Sequence, residues 1–233
     1  MTVEFGAYGK IPAMGDFLRI GLDPGFTRGW DGWLQSAMAT ARDRLGERWT
    51  ACYMSAPIWR FTLPAGLLDD DPFLGVTMPS VDRVGRQFPL TLAARLPAMP
   101  AATSVSVHLA SDACFTALEE AALHALEDST DSAALAARLQ VVPAPEVPGH
   151  SVAAMSGSAI LCEAPDAGGL ARALAGTLTL TQEGAPLSLW SCIFGPGRRL
   201  MTMPGLPEDD DMAALFDPED ARWTVSMPTG RTA

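Results

Sequence analysis

WDGWLQSAMATARDRLG, Trp30 to Gly46, places Trp30, Trp33, Leu34, Ala37, Met38, Ala41 and Leu45 at i, i+3, i+4, i+7, i+8, i+11 and i+15. That spacing predicts an amphipathic helix that ends at Gly46 and packs its tryptophan face on a sheet. Upstream, Val3, Phe5 and Ala7 alternate with Glu4, Gly6 and Tyr8, the period of a first strand. Between the two runs a Gly- and Pro-punctuated loop, from Gly9 to about Gly25, whose length marks it as a candidate functional surface. Downstream, the apolar runs Ala51 to Met54, Ile58 to Leu63, Leu74 to Met78 and Phe88 to Leu96 are separated by proline and glycine and read as neighbouring strands. Beyond Pro97 to Pro100, helical spacing returns in Phe115, Leu118, Ala122 and Leu126, with Ser111 and Asp112 as caps and a second helix starting near Asp131. The stretch from Val141 to Gly149 holds Pro143, Pro145 and Pro148 and reads as an internal linker. Ser158 to Cys162, Leu187 to Phe194 and, more weakly, Arg199 to Met203 complete the strands. Asp166, Gly168 and Gly169 open a helix carrying Leu170, Leu174 and Leu178. Strands alternating with helices point to one α/β domain over residues 1–233, not to a helical bundle or a β-sandwich.

Composition narrows the function. Among 233 residues, 48% are hydrophobic and 18% charged, which excludes a disordered or coiled-coil chain. Lys and Arg number 16 against 27 Asp and Glu, a net charge of −11, and Lys10 is the only lysine. Such a balance repels phosphate backbones and anionic lipid, so neither nucleic-acid binding nor membrane insertion is expected. The start, MTVEFGAYGK, lacks the pattern of a secretion signal, and no apolar stretch is long enough to span a bilayer, so a cytoplasmic location is expected. Cys52, Cys114, Cys162 and Cys192 are scattered and read as reduced core residues.

No catalytic constellation assembles. Gly6, Gly9 and Lys10 follow a strand, but Ile11 stands where a phosphate-binding loop needs a hydroxyl and Pro12 removes a donor. His108, read as lying in a strand, is far from His124 in a helix and His150 in the linker. Ser156-Gly157-Ser158 lacks the glycine of a nucleophile elbow, and Asp209-Asp210-Asp211 lacks the alternation of a calcium loop. Neither a metal nor a cofactor is called for. The informative charges are those set among Gly, Pro and apolar residues: Lys10, Asp16, Arg60, Asp82, Arg83 and Arg86. Asp82 or Asp16 can hold Arg83, Arg86 or Arg60 through a bidentate fork. The expectation is that the Gly9 to Phe17 loop lies beside Ser80 to Gln87 and forms a shared, charged cleft for a partner. The competing reading is an enzyme or sensor that takes a phosphorylated or nucleotide ligand at Lys10, Asp16, Arg83 and Arg86.

The same segments carry a family resemblance. Gly9-Lys10-Ile11-Pro12-Ala13-Met14-Gly15-Asp16-Phe17 resembles the G-K-x-P-x-x-G-D-F signature of the type VI secretion-associated TagF family, also called ImpM. The likeness continues through Trp30-Asp31-Gly32-Trp33-Leu34, Pro57-Ile58-Trp59-Arg60-Phe61 and Met78-Pro79-Ser80-Val81-Asp82-Arg83-Val84-Gly85-Arg86-Gln87-Phe88-Pro89-Leu90. It is strongest over residues 6–94 and thins afterwards to Leu187-Ser188-Leu189-Trp190 and Gly205-Leu206-Pro207. The resemblance implies a three-layer α/β/α sandwich around a mixed sheet. It implies a non-enzymatic, post-translational negative regulator of type VI secretion, working by protein–protein interaction. The partners implied are a forkhead-associated (FHA) domain scaffold protein and a separate PP2C-type phosphatase.

Overall fold

A computed structural model describes residues 3–127, 129–147, 152–156, 159–163, 167–180 and 187–223. In chain order the elements are β1 (Phe5–Gly9), β2 (Leu18–Ile20), α1 (Pro24–Leu45), α2 (Trp49–Ser55), β3 (Trp59–Leu63), β4 (Phe73–Met78) and β5 (Leu90–Arg95). Then follow α3 (Ala101–Ala110), α4 (Asp112–His124), α5 (Ser132–Leu139), β6 (Val152–Ser156), β7 (Ala159–Glu163), α6 (Ala167–Leu180), β8 (Leu187–Phe194), β9 (Gly197–Pro204) and α7 (Asp210–Phe216). His150, Asp166, Gly157 and Ser158 lie outside the described residues, as does the side chain of Cys162.

Seven strands form one sheet in the order β2-β1-β5-β4-β3-β8-β9, and β6 pairs with β7 apart from it. Every pair of named strands is antiparallel. The fold is therefore mixed α/β in content, but the sheet is not mixed as expected. Parallel neighbours need a crossover between them. Here β1 and β2, β3 and β4, β4 and β5, and β8 and β9 are each joined by a chain that returns directly, and the helices connect strands that are not neighbours.

Two hydrophobic clusters form on this sheet. Leu74, Val76, Leu90 and Leu92 pack with Phe115 and Leu118 of α4 and Leu135 and Leu139 of α5. Phe61, Phe73 and Trp190 belong to the other cluster, with Phe26, Trp30 and Leu34 of α1, Tyr53 of α2 and Leu215 of α7. Alternation along β4 sends Phe73 to one cluster and Leu74 to the other, so both faces are used.

The predicted α1 stripe is present, but the helix starts six residues earlier. The Asp23 side chain accepts from Gly25 N at 2.6 Å and Pro24 takes the first helical position, a strong start signal inside what reads as loop. Trp30 is fully buried. It lies 4.7 Å from the Phe61 ring, and its Nε1–H donates to Thr91 Oγ1 at 2.8 Å. Trp33 is only half-buried and donates to the Pro207 carbonyl. Ala51 to Met54, expected as a strand, lies in α2, where Trp49, Cys52 and Tyr53 give the i, i+3, i+4 face of a helix. The long loop is interrupted by β2. His108 sits in α3 rather than a strand, with Thr62 Oγ1 at 2.8 Å from Nδ1 and Ser191 Oγ at 2.9 Å from Nε2. Asp131 caps α5 through Ala134 N, as the sequence indicates. Cys52, Cys114 and Cys192 are buried and free.

Removing the Trp30 ring should leave a cavity between α1 and the sheet. Trp30→Ala is expected to lose about 3–5 kcal/mol in urea denaturation. His108 should make the fold acid-sensitive. Burial first, and the Arg60 guanidinium second, push its imidazole down to about 3. The unfolded chain takes up that proton near the ordinary histidine value, so stability is full above it and falls as pH drops below about 6.5, with a slope up to about 1.4 kcal/mol per pH unit. Denaturation midpoints for His108→Gln should be flatter than wild type between those limits; an unchanged slope would remove His108 as the cause.

Candidate functional site: two loops locked by Asp82

The segments that hold the informative charges meet at one end of the sheet. The chain leaves β1 at Gly9, whose φ is 139° and whose missing Cβ lets the backbone pass against the Pro89 carbonyl. Lys10 follows at once. Ser80 Oγ donates to the Lys10 carbonyl at 2.7 Å, Arg83 N donates to the Met14 carbonyl at 2.9 Å, and a guanidinium nitrogen of Arg86 donates to the Gly15 carbonyl at 2.6 Å. The expected neighbourhood of the Gly9 to Phe17 loop and Ser80 to Gln87 is therefore present.

Asp82 organises it. Its carboxylate is buried and accepts four hydrogen bonds. Val84 N and Arg86 N reach Oδ1 at 3.1 and 2.9 Å, while Lys10 Nζ and Arg86 Nε reach Oδ2 at 3.0 and 2.6 Å. Burial alone would raise this carboxyl's pKa. The Arg86 backbone N–H, the Lys10 ammonium, the Arg86 guanidinium and the Val84 N–H more than reverse that, holding it well below the usual carboxylate range. Gly85, at φ 82°, closes the turn by donating from its N–H to the Asp82 carbonyl at 2.8 Å.

Helix α2 braces the same loop from inside. The Tyr53 hydroxyl donates to the Ser80 carbonyl at 2.7 Å and accepts from Ser80 N at 3.0 Å, and Trp49 Nε1–H donates to Gln87 Oε1 at 2.7 Å. What remains exposed is the tip Arg83, Val84, Gly85 and Arg86, with Val84 at 70%. Beside it, Phe17 is 36% exposed, stacks on Tyr8 at 5.6 Å, meets Phe88 edge-on at 4.8 Å and lies under the Lys10 ammonium.

The six sequence candidates divide. Lys10, Asp82 and Arg86 form one ion-pair set, with Arg83 on the adjoining tip. Asp16 is exposed and, among the described residues, pairs with none of the arginines. Arg60 belongs elsewhere: it is buried on β3, paired with Glu119 and Asp112 of α4 and set over the Phe115 ring. A nucleotide or phosphate reading would need a free Lys10, whereas its ammonium is committed to Asp82. Among the described residues no group of three or more His, Cys, Asp or Glu side chains is arranged to hold a metal ion, and no helix is long and apolar enough to cross a membrane. Sequence reasoning did not single out Tyr53, Trp49 or Gln87; their only signal was aromatic and amide residues on short segments flanking the loops.

Residues 6–142 match the model of the TagF N-terminal domain, described as type VI secretion system-associated. The chain is also similar to PA0076 of Pseudomonas aeruginosa PAO1, known from a crystal structure. The two are 34% identical, with a TM-score of 0.74, over 92% of this chain and 94% of that one. No curated protein matches the sequence.

Tyr53→Phe keeps the ring but leaves the buried N–H of Ser80 without its acceptor, so it should lower unfolding free energy by about 1–3 kcal/mol. Asp82→Asn should lower the melting temperature and speed protease cleavage at Arg83 and Arg86. A variant with wild-type melting and cleavage would show that the carboxylate does not hold the tip.

Proposed function

Because the chain belongs to the TagF family of type VI secretion-associated proteins, we propose that it restrains type VI secretion after its components are made, by binding a cytoplasmic component. An FHA-domain scaffold is the first partner in this reading and a separate PP2C-type phosphatase the second. Residues 1–233 act as one cytoplasmic domain. The clusters on the two sheet faces support a three-layer arrangement.

The observation that carries the proposal is the rigid, exposed tip Arg83-Val84-Gly85-Arg86. A loop with its carboxylate, backbone and aromatic braces all satisfied internally presents its outer side chains with little ordering left to lose on binding. Arginine with an apolar neighbour is a composition that recurs in binding hot spots. Recognition of this kind needs no nucleophile, metal or cofactor.

The structure also decides how to test it. Reversing Arg86 would break Asp82, so a loss of function there would report on folding. Arg83→Glu combined with Val84→Asp alters only exposed side chains. That variant should keep the wild-type melting temperature, capture the scaffold roughly tenfold less well in a pull-down, and release secretion in cells. Capture and repression at wild-type levels would remove the tip from the interface.

A further inference from the structure

A cleft of about 390 Å³ opens on the other side of Tyr8, between β2 and the first half of α1, lined by Ala7, Arg19, Leu22, Thr27, Arg28 and Asp31 among others. Both arginines are exposed, and among the described residues neither has a carboxylate partner. Arg19 is held in place by its stack on the Tyr8 ring, 5.6 Å from the centroid. The one acid in the cleft is already occupied. Asp31 Oδ1 accepts from the Tyr8 hydroxyl at 2.6 Å and Oδ2 from Gln35 Nε2 at 2.7 Å, so both its oxygens have donors other than the two arginines, against whose two positive charges it sets one negative.

Tyr8 links this cleft to the Phe17 loop. Tyr8 stacks on Phe17, and Phe17 lies on the loop whose Met14 and Gly15 carbonyls receive Arg83 N and Arg86. Arg19 and Arg28 thus line one cleft whose Tyr8 wall adjoins the Phe17 loop, on a chain of net charge −11. We propose that the Arg19 and Arg28 cleft takes an anionic side chain of an acidic protein segment, bound through carboxylate or phosphoryl oxygens. This rests on the interaction reading above and names the chemistry of the partner. Two guanidinium forks without internal acids supply the donors such oxygens need.

The test uses the full chain and three labelled peptides of equal length, one rich in glutamate, one with a central phosphoserine and one rich in lysine, with binding read by fluorescence anisotropy at low and high salt. The glutamate or phosphoserine peptide should bind, the lysine peptide should not, and salt should weaken binding. Preference for the phosphoserine peptide would assign phosphoryl oxygens, and equal binding carboxylates. Arg19→Glu with Arg28→Glu should weaken it roughly tenfold or more. Should that pair fail to fold, Arg19→Gln with Arg28→Gln gives the same readout without charge reversal. Equal binding of acidic and basic peptides, or unchanged binding by a folded variant, would overturn the proposal. Failure of the interaction reading would show separately, as scaffold capture unaffected by Arg83→Glu and Val84→Asp.

Discussion

A carboxylate withdrawn from water is tolerable only where donors replace the lost solvent, and the buried Asp82 side chain meets that condition with two backbone N–H groups, an ammonium and a guanidinium. Each donor comes from a different constraint. The N–H groups shape the turn, Arg86 anchors it on Gly15, and Lys10 fastens it to the residue that leaves β1. Removing any one leaves the buried carboxylate with fewer donors, and Ser80 Oγ on the Lys10 carbonyl and Arg83 N on the Met14 carbonyl join the two loops besides. The single lysine is well suited to its place. An ammonium is compact, directs a donor at one oxygen and can rest on the Phe17 face, where a planar guanidinium would need a second in-plane acceptor.

The same economy leaves the tip exposed. Ser80 is held on both sides of its peptide by Tyr53, Gln87 by Trp49, and Phe88 N donates to the Ser80 carbonyl at 3.1 Å. These bonds consume the inner face of the hairpin. Only the outer side chains of Arg83 and Val84 are left without internal work, and they stand on a loop that Tyr53 and Trp49 of α2 brace.

Much of this was legible in the sequence, for identifiable reasons. The α1 stripe is long enough to show its period, whereas Ala51 to Met54 is too short to distinguish helix from strand, and the α2 face shows only once Trp49, before the run, is set with Cys52 and Tyr53 inside it. Charges set among Gly and Pro correctly marked two loops that meet. Which acid holds which base was not legible, because Asp16 and Asp82 have similar local contexts and their difference lies in burial. Arg60 was grouped with the loops on chemistry alone; its position on β3 turns it toward Asp112 and Glu119, which sequence separation of 52 and 59 residues conceals. Arg19 went unnoticed because it lies within the stretch read as one loop, and β2 is only three residues long.

Net charge is a poor guide to what this surface attracts. At physiological salt the Debye length is about 8 Å, so a bound group senses the charges lining its own cleft far more than the −11 of the whole chain. Most of the positive charge elsewhere is neutralised where it stands: Arg60 by Glu119 and Asp112, Arg95 by Asp23 and Asp71, Arg48 by Asp217. Arg83, Arg19 and Arg28 have no carboxylate partner among the described residues; Arg83 stands on the Asp82 loop, while Arg19 and Arg28 line the cleft between β2 and α1. On the proposal made for the Arg19 and Arg28 cleft, an acidic segment would be repelled by the molecule at large and met there by local charge, which would orient a contact that bulk attraction could not.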